Sequence, residues 1–103
     1  MYGAAVTFQF VVVSLSRDDL EQLFYALGDA LTDLQGDSSP LLDHSVSLNR
    51  GTGLIEIAVT TSADDADDAT ALGERFIREA IVATGGNVRE AEAAVISREL
   101  VAV

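Results

Sequence analysis

Alternation of apolar and polar residues predicts the strands of this chain. Residues 4–15 alternate with a period of two, and their more apolar face carries Val6, Phe8, Phe10 and Val12. The opposite face carries Thr7, Gln9, Val11 and Val13. Residues 44–50 and 54–61 alternate in the same way, and the intervening Gly51-Thr52-Gly53 predicts that they form a hairpin. Residues 90–101 predict a last strand with a bulge, or with burial on both faces, because the alternation slips within it.

Apolar residues at helical spacing predict two helices. Residues 17–35 carry a single apolar stripe, which consists of Leu20, Leu23, Phe24, Leu27, Leu31 and Leu34. Gly36 is a plausible stop for this helix. Residues 64–84 carry a second stripe, centred on Leu72, Phe76 and Ala80 and widened by Ala69, Gly73, Ile77, Ile81 and Ala83. Ser62 and Asp65 resemble the capping residues of this second helix.

The predicted order of elements is strand, helix, strand, strand, helix, strand. This order resembles the split βαβ, or ferredoxin-like, pattern. Right-handed crossovers place both helices on one face of a four-stranded antiparallel sheet in that pattern. The least structured stretch, residues 35–43, is short enough to be a connecting loop. We therefore predict an α+β fold, a ferredoxin-like βαββαβ sandwich, in a single domain that spans residues 1–103.

The residue types that the chain lacks exclude several kinds of chemistry. The sequence has no cysteine, which excludes disulfides, cysteine-ligated zinc and iron–sulfur clusters. All six of its basic residues are arginine, so a lysine Schiff base is excluded as well. A single histidine cannot form the paired-histidine metal sites within one chain. We expect no cofactor and no metal site.

The charge of the chain argues against two classes of partner. Seventeen acidic residues against six basic residues give a formal net charge of -11. Nucleic acids and anionic membranes both require clustered positive charge. The chain also has no apolar run near the length of about 20 residues that spans a bilayer and no signal-peptide pattern at its start. We expect a cytoplasmic protein that binds neither nucleic acid nor membrane.

His44 is the one histidine of the chain, and histidine is the residue type most often used as a general base. Asp43 and Ser45 flank it, which superficially suggests a catalytic triad. Neighbouring residues of a strand point to opposite faces, so both would face away from His44. We predict a histidine at the rim of the core, and we keep His44 and Arg50 as candidate ligand contacts.

Four aspartates at 64, 65, 67 and 68 form the most conspicuous cluster of the chain. Their carboxylates are of the type that binds calcium or magnesium. Acidic residues are also common in the first turn of a helix, where the partial positive charge stabilises them. We predict no specific metal site here, and cation binding by this cluster stays open.

The face of the predicted sheet that the helices leave bare is the candidate interaction surface. The residues that we expect there are Thr7, Gln9, Val11, Val13, Leu54, Glu56, Ala58 and Thr60. This set is more apolar than a solvated face requires, which favours a homodimer.

Three hypotheses about function follow from this pattern. The favoured one is a non-enzymatic, self-associating interaction or assembly module, with a further protein partner possible. The second is a small-molecule-binding regulatory domain similar to ACT domains, with its ligand at a subunit interface. The third is a cofactor-free enzyme similar to dimeric α+β barrels, with His44 as its base.

Overall fold

The structure, a computed structural model, describes residues 2–11, 17–36, 39–84 and 95–101, and at positions 10, 11, 17 and 95–101 it describes the backbone alone. Its elements are, in chain order, β1 (Tyr2–Val11), α1 (Arg17–Gln35), β2 (Leu41–Asn49), β3 (Leu54–Ala63), α2 (Ala66–Ala83) and β4 (Val95–Val101). The strands form an antiparallel sheet in the order β2-β3-β1-β4. Two helices with an antiparallel sheet confirm the predicted α+β class.

Both helices pack on the same side of the sheet. Helix α1 contacts β2 and α2, and helix α2 contacts β1 and β3. The core between them contains Val6, Phe8, Leu20, Leu27, Leu31, Leu41, Ile55, Ile57, Val59, Ile77, Ala80 and Ile81. These side chains come from both helices and from β1, β2 and β3. The opposite side of these three strands is covered by no element in the described part of the chain.

The alternation predicted for the central strands is present in the burial of their side chains. Strand β3 buries Ile55, Ile57, Val59 and Thr61 and leaves the residues between them partly exposed. In β1, Val6 and Phe8 are fully buried opposite Val59 and Ile57. The buried hydroxyl of Thr61 donates a hydrogen bond to the carbonyl of Ala69 at 2.6 Å. This bond attaches β3 to the first turns of α2 without leaving a buried polar group unsatisfied.

The predicted hairpin between β2 and β3 is confirmed, and Asn49 organises it. The Oδ1 atom of Asn49 accepts hydrogen bonds from the backbone N–H groups of Gly51 and Thr52 at 3.0 and 3.2 Å. The N–H of Gly53 donates to the Asn49 carbonyl at 2.8 Å. Gly53 has a φ of 75°, a conformation that glycine adopts without a steric penalty.

The apolar stripe of α2 is centred differently from the sequence prediction. The buried residues of this helix are Ala69, Gly73, Ile77, Ala80 and Ile81. Leu72 and Phe76, which the sequence placed at the centre, are only partly buried, and Ala83 is exposed. A Cβ atom at Gly73 would lie 2.7 Å from Val6 Cγ2 and 3.2 Å from Val6 Cβ. Small residues therefore let the helix approach β1 closely, and the larger side chains lie beside this contact.

We expect Gly73→Ala and Gly28→Ala to change stability in opposite directions. Both glycines lie inside helices, where alanine is favoured by about 1 kcal/mol. At Gly28 an added Cβ meets no atom within 4 Å, so the free energy of unfolding should rise by about that amount. At Gly73 the collision with the stiff Val6 side chain costs about 1–3 kcal/mol and outweighs the gain. Urea unfolding of both variants measures this difference, and a Gly73→Ala variant more stable than wild type would contradict the close packing.

Several boundaries differ from the prediction. Strand β2 begins at Leu41, so the last three residues of the predicted loop over 35–43 are strand. The register of β2 against β3 shifts between Leu41 and Asp43. This irregularity breaks the alternation that marks a strand in the sequence. The β1–β4 register shifts between Thr7 and Phe8, which agrees with a bulge, one of the two explanations that the sequence offered for the last strand. The predicted strand segments 12–15 and 90–94 lie outside the described residues.

Helix α2 begins later than predicted, and of the two residues that resembled its cap only Asp65 caps it. Its N-cap is Asp65, whose Oδ1 atom accepts hydrogen bonds from the backbone N–H groups of Asp67 and Asp68 at 2.7 and 3.4 Å. Ser62, which the sequence suggested as part of the cap, still belongs to β3. Its N–H donates to the carbonyl of Pro40 at 3.0 Å. The aspartate takes the cap because a carboxylate satisfies the free N–H groups of the first turn and interacts favourably with their partial positive charge.

Candidate functional site

His44 lies on the edge strand β2 under α1, and its ring connects the strand to the helix. Its Nε2 atom is 3.3 Å from the hydroxyl oxygen of Thr32, and its Nδ1 atom contacts Oε1 of Gln35. The amide nitrogen of Gln35 donates to the carbonyl of Leu42 at 3.1 Å, which turns the amide oxygen towards His44. Because an amide oxygen only accepts hydrogen bonds, Nδ1 carries a hydrogen and donates it to Gln35. The hydroxyl of Thr32 donates its hydrogen to the Gly28 carbonyl at 2.9 Å.

These contacts give His44 a structural role at the rim of the core. A catalytic base is usually oriented by a third group and needs an accessible atom that reaches the substrate. The partners of the His44 ring are a hydroxyl and an amide, and no carboxylate of the described residues bonds to it. The arrangement therefore attaches β2 to the last turns of α1, and it contains no oriented acid–base pair.

Arg50 lies far from His44, so these two candidate ligand contacts are not brought together. Six residues of extended strand separate them by roughly 20 Å. Arg50 lies in the turn after β2, where its Nε atom pairs with Oε1 of Glu21 at 2.7 Å. Its guanidinium therefore joins the hairpin to the start of α1.

A shallow groove runs between α1 and β2. We call it the α1–β2 groove, and its wall includes Phe24, Tyr25, Asp29, Thr32, His44 and Val46. It encloses about 330 Å³ and is open to solvent along its length. Tyr25 is 62% exposed and rests against Phe24 with its ring edge-on.

The aspartate cluster before and within α2 has a capping role. Asp65 accepts the hydrogen bonds of the first helical turn. Within the described residues, no group of three or more histidine or acidic side chains has the geometry of a metal site. Of the four aspartates at 64, 65, 67 and 68, Asp65 therefore has the role that acidic residues commonly have at the start of a helix.

The side of the sheet away from the helices is formed by small and polar side chains. We call it the open face, and its residues are Ala5, Thr7 and Gln9 of β1, Asp43, Ser45, Ser47 and Asn49 of β2, and Leu54, Glu56, Ala58 and Thr60 of β3. The residues of β1 and β3 are partly exposed, and those of β2 are exposed. Of the predicted interface residues, Val13 lies outside the described residues, as does the side chain of Val11. The described part of this face is more polar than the sequence suggested.

A hydrogen bond joins side chains of neighbouring strands on the open face. Gln9 and Glu56 stand opposite each other in the β1–β3 register, and the Gln9 amide donates to the Glu56 carboxylate at 3.4 Å. Glu56 is the charged side chain nearest the middle of the open face, and Asp43 lies on the edge strand. Both charged side chains of the described open face are therefore acidic, like most charged residues of this chain.

The sequence interpretation missed Thr32 and Gln35 as partners of His44. Only the neighbours of His44 along the strand were considered as its partners, and the partners lie on the helix that covers the strand. The available signal was the spacing of these two polar residues, three apart in the last turns of α1. That spacing places both side chains on one side of the helix but does not identify the strand beneath it.

Comparisons with known proteins add little to this description. No protein-family model matches the chain, and no curated protein matches it. A crystal structure described as a dimeric ferredoxin-like protein from an uncultured marine organism is 16% identical, over 96% of this chain and 82% of that one, with a TM-score of 0.40. A likeness at this level carries no information about function. Neither described helix is long and apolar enough to cross a membrane.

Proposed function

We propose that this protein is a non-enzymatic, self-associating module that forms a homodimer through its open face. The supporting observation is the asymmetry of the sheet. The helices bury one side of β1 and β3, while the other side is partly exposed along both strands. Two such faces, stacked about 10 Å apart, are a common way to bury exposed sheet surfaces.

The composition of the open face suits reversible pairing. Its central side chains, those of Thr7, Ala58 and Thr60, are short, so the face is flat and a second sheet can approach it closely. The hydroxyl groups can form hydrogen bonds across the contact, either directly or through water. The described face has no exposed tryptophan, tyrosine or arginine of the kind that dominates binding energy in tight interfaces. We therefore expect a weak dimer.

The size of the face leads to the same expectation. Four strands spaced about 4.8 Å apart, with about nine residues each at about 3.3 Å per residue, present roughly 500–600 Å². A standard protein–protein interface covers about 800 Å² on each partner. The open face is smaller than this, in the size class where weak and transient complexes are found.

The complete fold proposed here is the ferredoxin-like sandwich, with β4 as the fourth strand. Its support is the strand order β2-β3-β1-β4, which results when both βαβ crossovers are right-handed. In this fold β1 and β3 are central strands, so their open-face residues lie in the middle of the proposed interface.

The α1–β2 groove gives no support to the ligand-binding and enzymatic hypotheses. Small-molecule sites enclose most of the ligand surface, whereas this groove is shallow and open. His44 in its wall is bonded to Thr32 and Gln35. We therefore propose no reaction, no cofactor and no enclosed ligand for the described part of the chain.

Light scattering after gel filtration tests the proposed self-association. At high micromolar concentration the mass should approach twice the chain mass of 10.8 kDa, and it should fall on dilution. The dimer should also tighten with added salt, because each copy carries a net charge of -11 and salt screens the repulsion between them. A monomer mass at every concentration up to high micromolar, with and without added salt, would remove the proposal.

A further inference from the structure

Tyr25 presents an aromatic ring on the outer surface of α1, beside the α1–β2 groove. The ring is 62% exposed. It packs against Phe24 at a centroid distance of 5.3 Å and an interplanar angle of 64°, which holds its orientation while leaving it accessible. An oriented, accessible aromatic ring on a helix is a stacking platform for a planar cation.

Acidic residues lie on α1 on both sides of this ring, and Glu21, four residues before it, is already paired with Arg50. Asp29 follows Tyr25 by four residues, so their side chains are neighbours on one side of α1. Asp29 and Asp33 are exposed, and neither has an ion-pair partner among the described residues. A cation bound beside Tyr25 and Asp29 would meet the favourable charge of the Asp29 carboxylate and the face of the Tyr25 ring.

We propose that the α1–β2 groove docks an arginine side chain carried by a segment of a partner protein. The guanidinium stacks on the ring of Tyr25 and pairs with the carboxylate of Asp29, while the aliphatic part of the side chain follows the groove towards Val46. Arginine fits better than lysine because its planar group stacks on an aromatic ring and forms two parallel bonds with a carboxylate. The groove suits a protein segment better than a small molecule because it is open to solvent.

This interaction is separate from the proposed dimer. The groove is formed by α1 and by the helix-facing residues His44 and Val46 of β2, whereas the open face is on the other side of the sheet. A dimer that pairs through the open face therefore leaves both grooves accessible. The module would then present two arginine-binding grooves, one on each copy.

An NMR titration with a short blocked peptide that alternates arginine and glycine tests the docking proposal. The same peptide with citrulline in place of arginine is the control, because citrulline keeps the shape and removes the charge. The arginine peptide should shift the amide signals of Tyr25 and Asp29, and the citrulline peptide should not. Tyr25→Ala and Asp29→Asn should each raise the dissociation constant about threefold. Asp64→Asn, which makes the same change in charge away from the groove, should leave the dissociation constant unchanged.

Several results would overturn the proposal. One is equal binding of the citrulline peptide, and another is absence of binding by the arginine peptide. A third is an equal loss of affinity in Asp64→Asn and Asp29→Asn, because it would show attraction to any acidic surface. If Tyr25→Ala loses the dimer mass, the groove binds a second copy of this chain and does not bind an arginine-bearing segment of a partner protein. Retention of the dimer mass with weakened peptide binding supports the proposal.

Discussion

Replacing Phe8 by alanine should lower the free energy of unfolding by about 3–5 kcal/mol. The Phe8 side chain is fully buried, stands opposite Ile57 in the β1–β3 register and belongs to the core between sheet and helices. Its truncation removes buried apolar surface and leaves a cavity in the core between the sheet and the helices, which the hydrogen-bonded strands cannot collapse to fill. A domain of this size is typically stable by about 5–15 kcal/mol, so the loss is a large fraction of the total. Urea unfolding followed by circular dichroism measures it.

The matched control is Tyr25→Ala, the same kind of truncation at an exposed aromatic residue. Tyr25 is 62% exposed and contacts the edge of Phe24, so this change should cost about 1 kcal/mol or less. Equal losses of stability in the two variants would contradict the placement of Phe8 in the core and of Tyr25 on the surface. This comparison tests which face of β1 the helices cover. The open face is the opposite one, so the test also bears on where the open face lies.

The second large effect should follow from Ala58→Arg, which we expect to convert the dimer to a monomer. Ala58 lies in the middle of the open face, between Thr7 of β1 and Ser45 of β2 in the strand registers. A face-to-face dimer would have to accommodate two long side chains and bring like charges together in a desolvated contact. Such a contact costs several kcal/mol, so the dissociation constant should rise about a hundredfold or more. Sedimentation velocity at several concentrations measures this change.

Ala71→Arg makes the same substitution at an exposed position of α2 and serves as its control. This variant should keep the dimer, since its side chain lies on the helix side of the molecule. At concentrations low enough for all three proteins to be monomeric, both variants should have the same urea midpoint as the wild type, because neither arginine side chain enters the core. Dissociation of the dimer by both variants would indicate an effect of charge alone and would argue against the open face as the contact.

Much of the fold could be predicted because its signals are local and repeated. Helix α1 has the predicted bounds, since six apolar residues at helical spacing and a following glycine all indicate the same element. Strand β3 alternates strictly along its length, so its buried side could also be predicted. The hairpin position followed from two glycines, one of which adopts a positive φ.

The remaining features depend on contacts between distant parts of the chain. The stripe of α2 is centred on Gly73 because Val6, far away in sequence, leaves no room for a side chain there. Helical periodicity alone places Leu72 and Phe76 at the centre of the stripe, because it reflects how hydrophobic the residues are and not how closely the helix approaches the sheet. The partners of His44 were missed for the same reason, because Thr32 and Gln35 reach it only when α1 lies across β2.

Contacts between copies, observed by isotope-filtered NMR, test the central claim most directly. In a mixture of labelled and unlabelled protein, nuclear Overhauser effects between copies report which side chains meet across a dimer. We predict such effects from the methyl groups of Ala5, Ala58 and Thr60, all on the open face. Effects confined to helix residues such as the exposed Val82, or none at concentrations where the protein is dimeric, would contradict pairing through the open face.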